Sequence, residues 1–155
     1  MNPFKQSWKQ TSLLVMAMGM ALPAAAAPIV FTHSATGRGT LGGQSFGPTA
    51  FTITALGDTD DRYSPSSPAV VFAISHTTAS IAIDGVGVFD FVTPTRTFNN
   101  QSLSIVGFSQ EEVVTGGDLL NGPSDGGLGG WDMLSAFGPV SGSGDLLQWG
   151  SQVST

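Results

Sequence analysis

Past its N-terminal segment the chain alternates apolar and polar residues with a period of two, and short turn signals punctuate the alternation. In AFTITALGD, Phe51, Ile53 and Ala55 fall on one face of an extended strand and Thr52 and Thr54 on the other, as a half-buried strand requires. AVVFAISH repeats the pattern, with Val70, Phe72 and Ile74 set against Val71 and Ala73. ASIAIDGVGVFDF holds Asp84-Gly85 between two such runs, a strong hairpin signal because both positions tolerate positive φ. Gly42-Gly43, between GRGTL and QSF, predicts a second hairpin, and SLSIVGF and VSGSGDLLQWG each supply a further strand. Turn signals recur about every 8–12 residues, the spacing of a β-sandwich or barrel. The expected fold is therefore all-β, a single-domain antiparallel β-sandwich or jelly-roll-like arrangement.

Two stretches break the rhythm. Residues 57–68, GDTDDRYSPSSP, are polar and carry two prolines, which predicts a surface loop. Residues 116–130, GGDLLNGPSDGGLGG, are rich enough in glycine to predict a mobile excursion with at most a short turn at DLL. GWDMLSAFG fits a two-turn helix or a strand about equally well. No segment has the composition of a second domain.

The N-terminus has its own logic. Lys5 and Lys9 precede an uncharged run from Thr11 to Leu22, Pro23 stops any helix, and Ala24 to Ala27 supply the small side chains that a signal peptidase accepts. The run is shorter than the roughly 20 apolar residues a bilayer span needs. Residues 1–27 are thus expected to be a signal peptide, recognised by signal peptidase and the export machinery, with residues 28–155 as a secreted β domain free of membrane spans. Ala27 is the alternative mature N-terminus.

Export changes the charge. The signal peptide removes both lysines, leaving Arg38, Arg62 and Arg96 against eleven acidic residues, a net charge of about −8. Affinity for phosphate backbones comes from lysine and arginine, so nucleic acid is not an expected partner. The chain has no cysteine, so neither disulfides nor thiolate metal sites hold it together, and about 128 residues must be stabilised by core burial.

Catalytic signatures are missing: no G-x-S-x-G elbow, phosphate-binding loop, dinucleotide fingerprint or H-E-x-x-H occurs. His33 and His76 each fall within an expected strand, with no second histidine close in sequence. Asp58, Asp60 and Asp61 cluster as hard oxygen donors and form a candidate calcium site, although they lack the spacing of a known calcium loop. Asp118, Asp125 and Asp132 are spaced by seven, which is not a calcium-repeat pattern. A glycosidase needs two facing carboxylates, for which Asp90, Glu111 and Glu112 can be named but nothing selects them. For glycan binding, Trp131 and Trp149 offer rings, and Asn99, Asn100 and Gln101 offer amides to sugar hydroxyls; the same tryptophans would serve equally as core anchors. Thr93-Pro94-Thr95 should break a strand near Val92 and leave Arg96 at a corner. There its guanidinium either clamps neighbouring strands or binds an acidic sugar.

Several stretches together carry a resemblance: FTHSATGRGTLGGQSFGPTAFTITALGDTDD, ASIAIDGVGVFDFVTPTRTFNNQ, VGFSQ and WDMLSAFGPVSGSGDLLQW. Across residues 29–150 the chain resembles exported bacterial proteins of the PEP-CTERM class, substrates of the exosortase sorting system. The resemblance implies a secreted, Ser/Thr/Gly-rich, non-enzymatic β protein at the cell surface or in the extracellular matrix, associated with exopolysaccharide and biofilm. A carbohydrate-binding module is the first alternative and a secreted hydrolase the second. The sorting tail that names the class, a Pro-Glu-Pro motif followed by an apolar helix and a basic end, does not occur before Thr155. The chain is therefore expected either to be truncated ahead of that tail or to be released.

Overall fold

The computed structural model describes residues 27–41, 43–111 and 117–147; residues 1–26 of the expected signal peptide, Glu112 and Trp149 lie outside them. Among the described residues eight strands form one antiparallel sheet. They are β1 (Pro28–Leu41), β2 (Gln44–Tyr63), β3 (Val71–Ile83), β4 (Gly87–Asp90), β5 (Thr95–Asn100), β6 (Ile105–Gln110), β7 (Asp118–Ser124) and β8 (Asp145–Leu146). The order across the sheet is β1-β2-β3-β5-β6-β7-β8, with β4 paired to β3 beside β5. The all-β expectation is met by a sheet curled until it nearly closes into a barrel. Its two ends approach where a Cβ on Gly37 of β1 would lie 2.6 Å from Leu146 Cδ2 of β8.

Alternation along the strands builds the core. Phe31 from β1, Phe51, Ile53 and Ala55 from β2, and Ile74, Ala79 and Ile83 from β3 meet Phe108 and Leu120 from the opposite side. Leu128, Trp131 and Met133 close one end. Both expected hairpins form: Leu41 pairs with Gln44, and Ile83 pairs with Gly87 across a turn in which Gly85 has φ +73°. The second turn has three residues, Asp84 to Val86, because the ladder opens one residue later than the Asp-Gly signal implied. The break at Pro94 separates β4 from β5, both of which pair with the same edge of β3.

Three expectations are corrected. The loop at 57–68 starts later, at Ser64, because β2 runs on to Tyr63. Its partner register steps from Gly57↔His76 to Arg62↔Ile74, a wide bulge that sets the intervening polar residues outside the β2–β3 ladder while the strand continues. The glycine-rich stretch 116–130 contains β7 and a 3-10 turn at Gly126–Gly129; Leu120 lies opposite Phe108 and is buried with it, so cross-strand burial overrides the glycine content. GWDMLSAFG forms neither helix nor strand, since its buried side chains Trp131 and Met133 plug the barrel end individually.

Candidate functional site

Nothing pairs with the outer edge of β1 among the described residues. Between that edge and the β7–β8 side lies an open seam of about 1130 Å³. One wall is β1 from Pro28 to Thr36, the floor is Val106, Leu120, Leu128 and Trp131, and the far wall is the irregular segment between Leu134 and Leu146. Sites that hold small ligands or chain segments are concave, mostly apolar and carry a few placed polar groups, and the seam has this character.

The far wall is anchored by residues named above for glycan binding. Asn99 is fully buried and its Nδ2 donates to Leu128 O at 2.9 Å and Trp131 O at 2.6 Å. Gln101 Nε2 donates to Trp131 O at 3.0 Å. Trp131 Nε1 donates to Ser135 O at 2.8 Å, and its ring stacks on Phe137 at 5.3 Å. Asn99, Gln101 and Trp131 are thus brought together at one end of the seam, and these polar bonds are spent on the loop. Asn99 Oδ1 is buried with no hydrogen-bond partner. Asn100 ends β5 and caps the β5–β6 turn, accepting from Ser102 Oγ and Leu103 N. Of the rings at the seam, Phe137 is 41 % exposed and Trp131 only 9 %.

Arg96 stands apart, on the opposite face of β5. Its Nε donates to Ser109 Oγ at 2.8 Å and its Nη1 to Tyr63 OH at 3.1 Å and Glu111 O at 3.3 Å. Ser75 and Ser109 are its register partners on β3 and β6, and Asp118 is that of Ser109 on β7, so a polar row crosses four strands. The Ser75 hydroxyl donates to the Glu111 carboxylate. Burial raises the Asp118 carboxyl above its ordinary range, with the Arg96 charge pulling the other way. These bonds tie β2, β5 and β6 together through one guanidinium, the geometry of a clamp.

Inside the barrel the structure assembles a pair the sequence did not reveal. His33 Nε2 and His76 Nε2 both pair with Thr97 Oγ1, at 3.1 and 3.0 Å, and His76 Nδ1 pairs with Thr95 Oγ1 at 2.9 Å. His76 stacks on Phe108 at 5.4 Å, and His33 meets the edge of the same ring at 5.8 Å. Burial pushes the His33 imidazole down to about 4; burial, with the nearby His33, pushes His76 down to about 3. Both rings are neutral at pH 7, and His33 also lines the seam. The available signal was its parity in β1, shared with Phe31 and Ala35.

The acidic residues are dispersed. Asp58 Oδ1 accepts from Asp60 N at 2.9 Å, while Asp125 and Asp132 accept from Gly127 N and Leu134 N and close local turns. Among the described residues no group of three or more histidines or carboxylates gathers around one point, and no helix is long and apolar enough to cross a membrane. No protein family matches the chain, and no curated protein or solved structure shows similarity to it.

Proposed function

We propose that the chain is exported and acts outside the cell as a non-enzymatic surface or matrix protein, with the open seam as its binding site. The observation that carries this reading is the seam itself. An unpaired strand edge and an apolar floor face each other across about 1130 Å³, and hydroxyls, rings and aliphatic groups line it, a surface suited to holding a partner. Export and matrix association rest on the N-terminal pattern and the resemblance to exosortase-sorted proteins. The test is cosedimentation with whole extracellular matrix isolated from a biofilm. Wild type should pellet with the matrix, and Ser141→Trp, which sets an indole on the seam wall, should remain in the supernatant. Equal pelleting of both proteins sinks the assignment.

A second reading makes the held component a glycan, favoured by the stacked Trp131–Phe137 pair with its exposed Phe137 face. It requires retardation on native gels cast with deproteinised matrix polysaccharide. In either case glycoside and ester substrates should turn over no faster than in buffer.

A further inference from the structure

The backbone of β1 states what the seam is built to receive. Thr59 N donates to Ala27 O at 3.1 Å, so this pair belongs to the hydrogen-bonded set of the β1–β2 ladder. In an antiparallel ladder such pairs alternate with pairs whose backbone groups point away. Ile29, Phe31, His33 and Ala35 therefore direct N–H and C=O toward β2, and Val30, Thr32, Ser34 and Thr36 direct theirs into the seam. The other side of β2 gives the same parity: Asp84 N donates to Ala50 O at 3.0 Å, which assigns even residues of β2 to β3 and its odd ones to β1. No hydrogen-bond partner meets the four seam-facing N–H groups among the described residues. Backbone groups of this kind are obligatory hydrogen-bonding groups, and an unpaired edge is a template for another strand.

The surroundings define that strand. Residues Pro28–Thr36 extend for about 30 Å at roughly 3.3 Å per residue. A chain laid beside them drops every second side chain onto Val106, Leu120, Leu128 and Trp131, and turns the others outward beside Thr32 and Ser34. The lining contains one carboxylate, Asp145, and no lysine or arginine, so it offers no counter-charge to an acidic occupant and a single one to a basic occupant.

We propose that the seam is a strand acceptor: an uncharged segment of a partner protein, apolar at alternate residues, pairs with the Val30–Thr36 edge and completes the barrel. The proposal rests on the reading of the seam as the binding site. Main-chain bonds supply affinity in such strand addition, and alternate side-chain pockets supply specificity.

The probe is a synthetic peptide of alternating threonine and valine, nine residues long with a lysine pair at each end. Its controls are a peptide of the same composition with the valines in one block, and cellohexaose. Hydrogen exchange read by NMR should slow at least about tenfold at the Val30, Thr32, Ser34 and Thr36 amides with the alternating peptide alone, a tenfold change being about 1.4 kcal/mol. Thr32→Pro deletes a seam-facing N–H without touching the β1–β2 ladder, so it should weaken the peptide at least about tenfold while the melting temperature stays near wild type; Thr32→Ala should bind as wild type. Should Thr32→Pro fail to fold, Ser34→Pro makes the same test, and the exchange measurement on wild type needs no variant.

Equal slowing by the blocked peptide, or undiminished binding by a folded proline variant, overturns the proposal. So does protection of the four amides already in the free protein, which would put a segment of the same chain or of a second copy in the seam. Protection by cellohexaose alone transfers the site to glycans. Loss of matrix cosedimentation by Ser141→Trp with no peptide binding leaves the seam as a binding site and removes the strand; intact cosedimentation by that variant removes both.

Discussion

His33 on β1 and His76 on β3 share one hydroxyl, that of Thr97 on β5, with Nε2 to Oγ1 distances of 3.1 and 3.0 Å. A hydroxyl has one proton to give. Thr97 can therefore donate to at most one imidazole, so at least one of the two rings donates its Nε2–H to the shared oxygen. Burial holds both rings neutral.

Acid should accordingly destabilise the protein well before its carboxylates titrate. The folded values, about 4 for His33 and about 3 for His76, lie below the ordinary 6.5, so between those limits the unfolded chain binds more protons. Stability is complete above about pH 7 and falls as pH drops through 6.5, with a slope approaching about 1.4 kcal/mol per pH unit for each histidine. Asp118 acts in the opposite sense, because burial raises its value and lets the folded state gain a proton before the unfolded chain does. Urea unfolding between pH 7.5 and 4.5 measures this directly. A midpoint that does not move between pH 7 and 5 contradicts the neutral pair.

Thr97→Val keeps the shape of the side chain and removes the shared hydroxyl. Two ring nitrogens then lose a partner inside the barrel, at about 1–3 kcal/mol for each buried group left unsatisfied. Thr95→Val strips a partner from His76 alone and should cost less. Denaturant midpoints of the two variants, compared at pH 7.5, give the ranking; equal losses would mean that Thr97 is no bridge.

Gly107 on β6 has no room for a methyl group. A Cβ there would lie 2.3 Å from Leu120 O and 2.3 Å from Phe98 Cζ, so the β6–β7 ladder or the Phe98 ring must move. Gly107→Ala should destabilise by about 1–3 kcal/mol, the range for overpacking. Gly47→Ala, where nothing lies within 4 Å, is the control and should leave the melting temperature nearly unchanged.

Strands with one buried face were legible because their signal is local: Phe51, Ile53 and Ala55 declare an inward face through spacing alone. The histidine pair was not, since it depends on the register of β1 with β2, β2 with β3 and β3 with β5, and spacing within a strand carries no information about its neighbours. β7 was hidden because Leu120 is its one fully buried apolar position. The polar end of β2 was hidden because its bulge keeps Asp60 and Asp61 in solvent, so composition there looks like a loop. The seam was illegible for a related reason. It exists because Leu134–Leu146 follows no regular period, and what an irregular segment covers is decided by single contacts such as Asn99 to Leu128 and Trp131.

Arg96 gives the most direct test of how those contacts divide between structure and binding. Its guanidinium donates to a serine on β6, the tyrosine at the end of β2 and a carbonyl just beyond β6, and no seam-lining residue is among these partners. Arg96→Ala leaves the Tyr63 hydroxyl, Ser109 and the Glu111 carbonyl without these donors, and should lower the melting temperature with a loss of about 1–3 kcal/mol. Arg96→Lys keeps the charge but replaces a planar fork with a point donor, so it should recover less than half of that loss. Matrix cosedimentation of either variant, measured below its melting temperature, should equal that of wild type. An unchanged melt together with lost cosedimentation would move the binding site from the seam to this face of the sheet.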